Sequence, residues 1–373
     1  MDIFKILSHT SWGADRKHLL QLYKALILPK LLYGCEVYSS AKQSKLDILN
    51  SIHHAGIRYA TGAFRSSPIP SLLIDAGELP LYMYRHNYMI RFWFRAQRLP
   101  NSLTCKTILD AKFSEFYDKQ PKFPKPFGYR VRVIMEEYGV PRYKVLPYKY
   151  SPVPPWKLPC IEHCQTFLKS KKDVADDVIH QEFLKHMEEH RGSVFIFTDG
   201  SKSNAGVGFG AVSQNFNCYG ALSKCASVFT AELYAILVAL KQIISLNEYH
   251  FVIFSDSQSA LQALEVFNSL HPLVLEILEW LLLARRKGKE ITFCWVPAHV
   301  GIMGNEKADE VAKFAALKLP PRDCALPSGD YIPVIGSAIS QSWQFMWELE
   351  GQNKMSEIAS HISPWKYYNM TRI

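Results

Sequence analysis

The sequence predicts an α/β fold: a five-stranded mixed sheet flanked by helices over residues 191–319, preceded by a mainly helical N-terminal region. Three observations predict it. After Gly192, three short apolar runs of strand length follow one another, with a tight turn near Gln214 and Asn215. Beyond them, strands and long apolar-periodic stretches alternate, the pattern of a sheet covered by helices. Upstream, residues 16–63 carry apolar spacing of helical period.

In chain order, Leu19, Leu20, Tyr23, Ile27 and Leu31 recur at helical spacing, as do Leu46, Leu49, Ile52, His53 and Ile57. Pro29 lacks an N–H and is expected to kink or break the first run. The segment Ser66-Ser67-Pro68-Ile69-Pro70 is a turn-rich break, and a helix is expected from Leu81 to Arg98. Pro, Lys and Tyr crowd residues 121–159 without sustained periodicity, which reads as a linker or an extended segment. A charged helix is expected from Val174 to His190.

Strands are expected at Val194–Thr198, Gly206–Val212, Phe216–Leu222, Phe251–Ser255 and Ile291–Val296. Helices are expected at Thr230–Leu246, from Ser257, at Leu273–Arg286 and at Asn305–Leu317, the last preceded by a glycine-containing loop, Ala298 to Gly304. The divisions are therefore 1–120, helical; 121–190, a Pro/Lys-rich linker and helix; 191–319, the α/β domain; and 320–373, a tail of no assigned role.

At 373 residues the chain exceeds what one core usually organises. Its net charge of +9 is uneven: residues 1–190 hold 28 Lys/Arg against 18 Asp/Glu, whereas residues 191–319 hold 11 of each. The basic half is the better place for attraction to phosphate backbone, against the alternative of a solvated basic surface. Eight scattered cysteines and no signal peptide predict reduced thiols in an intracellular protein, nuclear or cytoplasmic and not secreted. The order Cys160-x3-Cys164, then His186-x3-His190, resembles a zinc site, but its 21-residue gap exceeds the usual one, and chance is the better reading. No membrane partner is expected, because the most apolar helix, Leu273 to Ala284, is too short to span a bilayer and contains Glu276 and Glu279.

Four acids carry the chemistry: Asp199, Glu232, Asp256 and Asp309. Asp199 and Asp256 each follow a strand, so parallel, adjacent strands would bring both to one sheet edge. Glu232 stands in the first turn of its helix beside an apolar stripe and leans toward the sheet. Asp309 shares a helix face with Ala312 and Ala316, whose small size predicts close packing. Each acid alone could serve a helix dipole or a cap. Together, turned toward apolar faces with no Lys or Arg expected nearby, they require a divalent cation, and oxygen donors select Mg²⁺ or Mn²⁺ over zinc. That combination points to metal-dependent phosphodiester chemistry. His299, in the glycine loop ten residues before Asp309, is a candidate proton shuttle or aid to product release.

The segments Phe197-Thr198-Asp199-Gly200-Ser201, Thr230-Ala231-Glu232-Leu233, Phe254-Ser255-Asp256-Ser257-Gln258, and Ala298-His299 through Gly304-Asn305-Glu306-Lys307-Ala308-Asp309 resemble the ribonuclease H domain in order and spacing. The resemblance implies cleavage of the RNA strand of an RNA–DNA hybrid, with two Mg²⁺ ions (Mn²⁺ as substitute) on Asp199, Glu232, Asp256 and Asp309. It implies turnover assisted by His299 and substrate contacts from Gln258 and Asn305. The basic run Arg285-Arg286-Lys287-Gly288-Lys289 is either a counterpart of the basic insertion that grips the hybrid in some members or a helix C-cap cluster. Upstream, Leu22-Tyr23-Lys24-Ala25-Leu26, Tyr33-Gly34-Cys35-Glu36-Val37-Tyr38 and Thr61-Gly62-Ala63-Phe64-Arg65-Ser66-Ser67-Pro68 resemble the end of a non-LTR (LINE, Jockey-like) retrotransposon reverse transcriptase. That resemblance covers about residues 16–100 and includes no catalytic motif of a polymerase, so no polymerase activity is expected. The alternative reading is a catalytically silent nucleic-acid-binding retroelement remnant.

Overall fold

A computed structural model of the chain describes residues 2–9, 12–109, 114–120, 122–149, 153–159, 161, 163–164, 176–266, 269–350 and 354–363. The chain divides into two compact units: residues 1–142 with 332–373, and residues 143–331.

The first unit is helical. Its helices are α1 (Asp2–Leu7), α2 (Arg16–Leu22), α3 (Leu28–Leu32), α4 (Cys35–Tyr38), α5 (Gln43–Thr61), α6 (Ile69–Ala76), α7 (Leu81–Ala96), α8 (Leu103–Leu109), α9 (Ser114–Lys119) and α10 (Phe127–Glu137). Pro29 does not end the first run. The helix widens into a π-helical segment at Tyr23–Ile27, and Pro29 then sits in the first turn of α3, where a missing N–H costs nothing. Helix α10 lies inside the stretch expected to be a linker. Its apolar face, Val131, Ile134 and Met135, is interrupted by charges that hide the period, and packing against α7 and α8 orders it.

The second unit carries α11 (Asp176–Glu189), α12 (Val228–Ile243), α13 (Gln258–Glu265), α14 (Pro272–Arg286) and α15 (Met303–Lys318). Two further helices, α16 (Ile332–Leu349) and α17 (Lys354–Ile358), follow in the C-terminal segment, and α16 packs on α7 within the first unit.

The sheet of the second unit contains the five expected strands, β2 (Val194–Lys202), β3 (Val207–Ser213), β4 (Asn217–Leu222), β5 (His250–Ser255) and β6 (Glu290–Trp295). A two-residue edge strand, β1 (His163–Cys164), joins β6, giving the order β1-β6-β5-β2-β3-β4. Strands β2, β3 and β4 form an antiparallel meander, while β5 pairs in parallel with β2 and β6 with β5. Period-two alternation splits the core between the faces. Ile196, Ile253 and Phe293 meet α12, α13 and α14; Phe197, Val252, Phe254 and Cys294 meet α11 and α15. Helix α11 is therefore part of this core: Phe183 packs edge-on against Phe254 with ring centroids 5.3 Å apart.

Cys160 and the Cys164 side chain lie outside the described residues. His186 and His190 have ring centroids 4.4 Å apart, and His186 sits edge-on to Phe254 in the core. Among the described residues, no helix is long and apolar enough to cross a membrane.

Candidate metal centre

Asp199 lies inside β2 rather than after it. The strand runs on to Lys202 because β3 pairs with it, opposing Asp199 to Gly210. Asp256 follows β5 directly. Since Thr198 opposes Ser255 in the parallel β2–β5 pair, Asp199 and Asp256 emerge side by side. This is the parallel, adjacent arrangement that the sequence made conditional.

Glu232 comes from α12, whose N-cap is Ser227, with its side chain accepting from the Thr230 amide. The helix starts two residues earlier than expected, so Glu232 is its fifth residue, one turn deeper. Gly200 lets the helix approach: a Cβ there would lie 2.5 Å from the Glu232 nitrogen and 2.9 Å from the Ala231 carbonyl carbon. No larger residue fits without moving α12 off the strand.

These three acids converge. Asp199, Glu232 and Asp256 each offer a carboxylate oxygen, and the three oxygens lie within 4.8 Å of one another. Asp199 is 6 % exposed and Glu232 5 %. Burial, then the Asp256 and Asp309 charges, push the Asp199 carboxyl up to about 7. Burial and the charges of Asp199 and Asp256 raise Glu232 well above the usual carboxylate range. Burial also raises Asp256, against a hydrogen bond from Asn305 and the nearby His299. One buried oxygen of Glu232, Oε2, has no hydrogen-bond partner. Crowded, buried, under-satisfied carboxylates fit a hard divalent cation, which supplies the missing positive charge and accepts all-oxygen donors.

Asp309 stands apart from this triad. Helix α15 lies tightly on β3, where a Cβ on Gly208 would fall 2.2 Å from the Ala312 carbonyl oxygen, so the small residues of this face do permit close packing. The Asp309 charge is felt by both strand aspartates. Yet its Oδ2 accepts from Lys313 Nζ at 2.6 Å, an i,i+4 ion pair. The expectation that no basic group neutralises the acids is thus corrected at Asp309. The signal was in the sequence, because Lys313 falls one helical turn after Asp309.

Asn305 is 4 % exposed, and its Nδ2 donates to Asp256 Oδ2 over 3.3 Å. It holds the orientation of that carboxylate from α15. Gln258 is exposed at the first position of α13. His299 is exposed and has a positive φ of 56°, in a loop whose Gly301 is also left-handed. Trp295, which sequence reasoning did not single out, donates from its indole to the Asp256 carbonyl at 3.0 Å and fixes the backbone beneath the carboxylate. Nothing in a lone tryptophan at a strand end marks that role.

In the run Arg285–Lys289, the Lys289 side chain reaches the segment after α12 rather than the end of its own helix. Its Nζ donates to the carbonyls of Leu246 at 2.6 Å and Glu248 at 3.0 Å, and Gly288 takes the left-handed conformation.

Residues 191–317 match the family model for RNase H. The match coincides with the five strands and the acid cluster, and the α/β fold of this stretch is ribonuclease H-like. No curated protein matches the chain.

Proposed function

We propose that the protein is a metal-dependent endonuclease that hydrolyses the RNA strand of RNA–DNA hybrids. The observation that carries this reading is the convergence of Asp199, Glu232 and Asp256 within 4.8 Å at the end of two parallel strands. Asp199, Glu232 and Asp256, with Asp309 alongside, would hold two Mg²⁺ ions, or Mn²⁺ in their place. When bound, such a pair activates water and stabilises charge on the departing oxygen.

The chain's own residues do the rest. Asp199 and Glu232 are buried, and Glu232 Oε2, without a hydrogen-bond partner among the described residues, is left for a cation. Asn305 and Trp295 hold Asp256 from two sides, through its carboxylate and its backbone carbonyl. Water adds to phosphorus, the P–O3′ bond breaks, and a 3′-hydroxyl and 5′-phosphate result. The exposed His299 imidazole shuttles a proton at the rim and eases product departure. Exposed Gln258 contacts substrate, and contacts to 2′-hydroxyls along an A-like duplex select the RNA strand.

The helical stretch over 16–100 fits descent from a non-LTR retrotransposon polyprotein, the reading its motifs imply. One observation favours the second reading, a catalytically silent nucleic-acid-binding remnant: Lys313 occupies Asp309. The pair is half-exposed on the lysine side, so a cation displaces it at small cost.

Incubation with a labelled RNA–DNA hybrid and Mg²⁺ tests the proposal. The protein is expected to cut the RNA strand, and both EDTA and Asp256→Asn are expected to abolish cutting. An intact hybrid in the presence of folded protein leaves the silent remnant standing. Equal cutting by the variant assigns the activity elsewhere.

A further inference from the structure

The helical unit contains a cavity of about 490 Å³, far from any residue of the acid cluster in sequence and lined by α5, α7 and α10. Its charged lining is cationic: Arg85 from α7, Arg130 from α10, and Lys125 just before α10. Arg85 is only 4 % exposed, has no ion pair among the described residues, and its Nη1 is buried without a hydrogen-bond partner. Arg130 repeats the pattern. Its Nε donates to the Lys125 carbonyl at 3.1 Å and its Nη2 to the Glu36 carbonyl at 2.6 Å, leaving Nη1 buried and unpartnered.

A buried guanidinium with an idle donor is costly unless something anionic satisfies it. Among the described residues no carboxylate lines the cavity. Asp47 acts on Arg85 only through its charge, while its carboxylate accepts from Gln43 and Asn50, and Asp118 accepts from Tyr129. His86, also in the lining, is pushed down to about 4 by burial and by Arg85, so it is neutral at pH 7 and adds no positive charge to the two arginines and Lys125.

Two convergent guanidiniums suit an oxyanion with several acceptor oxygens, and phosphate above all. The N-terminal turn of α10, which has no side-chain cap, borders the same space through Lys125, Tyr129 and Arg130, and its amide dipoles favour an anion. The volume is larger than a bare ion needs and falls in the range of small-molecule sites. The remaining wall mixes apolar and aromatic side chains, Leu46, Met89, Ile134 and Tyr82, with neutral polar ones, Gln43 and Asn50. We propose that this cavity binds a phosphate monoester of nucleotide size, the phosphate on Arg85 and Arg130 and the ring system against the apolar wall. The phosphate could belong to a free mononucleotide or to the phosphorylated end of a strand.

The test uses the full chain in EDTA at constant ionic strength, titrated by calorimetry with inorganic phosphate, adenosine 5′-monophosphate and 5′-phosphorylated diadenylate. Saturable binding is expected, tighter for the monophosphate than for inorganic phosphate by tenfold or more. Diadenylate binding equal to the monophosphate identifies strand ends as a source; weaker binding identifies free nucleotide. Arg85→Met is expected to lose at least tenfold in affinity while its melting temperature without ligand stays equal or rises, since an uncompensated buried charge has gone. A residue kept only for structure would lower it. Arg130→Gln, which leaves Arg85 in place, is expected to weaken binding severalfold and decides the matter if Arg85→Met does not fold. Absence of saturation by all three probes up to about 10 mM, or wild-type affinity in the folded variants, overturns the proposal.

Discussion

The acid triad makes a demand on stability that Asp199→Asn isolates. Three carboxylate oxygens within 4.8 Å repel one another, and each like-charged pair at that separation is worth roughly 3.5 kcal/mol at an effective dielectric constant of about 20. The Asp199 carboxyl, lifted from its ordinary 3.8 to about 7, gives a similar figure, on the order of 4 kcal/mol for holding it charged. The two figures overlap and are not additive, because burial is the first cause of the Asp199 shift and the neighbouring charges the next. The sign follows from proton binding. Below about pH 4 the carboxyl is neutral in both folded and unfolded chains, so no cost arises. As pH rises toward 7 and above, only the folded chain still holds the proton, and stability falls until the group ionises. Between pH 5, where the unfolded carboxyl is already ionised, and about pH 7, where the folded one ionises, Asp199 alone is expected to cost metal-free protein about 2.7 kcal/mol of stability, and saturating Mg²⁺ is expected to recover it. The chain has two units, so a single melting transition would mix them. Hydrogen exchange read on peptides covering residues 228–243, the helix that carries Glu232, reports the right one. In Asp199→Asn the pH slope should shrink by more than half and the Mg²⁺ recovery should largely vanish. If wild type and variant share one slope, or Mg²⁺ protects both equally, the repulsion assigned to this triad is wrong.

Three further outcomes are expected. Asn305→Ala removes a hydrogen bond to Asp256 without removing a carboxylate, and should weaken Mg²⁺ binding 10- to 100-fold (order of magnitude), measured by calorimetry. Gly200→Ala places a methyl group 2.5 Å from the Glu232 nitrogen and should cost about 1–3 kcal/mol in urea denaturation; wild-type stability would show that α12 is not held by this contact. Lys313→Met breaks a largely exposed pair and should change stability by less than about 1 kcal/mol while tightening Mg²⁺ binding. Weaker Mg²⁺ binding in that variant would mean that Lys313 orders Asp309 for the metal rather than competing for it.

The sequence by itself determined the five main strands of the sheet, and it placed Asp256 directly after its strand and Asp309 on its helix. Apolar runs of strand length are local signals, and β2, β5 and β6 are apolar because both sheet faces are covered. Asp256 could be placed at a strand end from its flanking run alone. Ala312 and Ala316, after Asp309, announced close helix packing, and glycines on β3 complete it. Three matters were decided only by tertiary structure. The β2–β5 pairing, which no local pattern encodes, brought Asp199 beside Asp256. Pairing with β3 carried β2 past Asp199 into residues that look like a turn. The order of α10 came from its partners α7 and α8, since its own charges blur the helical period. Arg85 and Arg130 make the same point in the other unit. Each is an ordinary basic residue on its own helix, and only packing buries them together around one cavity with donors left idle. Residue type and spacing are written along the chain. Which groups share a site is set by contacts across it, and there the burial that raises carboxylates and strands guanidiniums creates the need for a ligand.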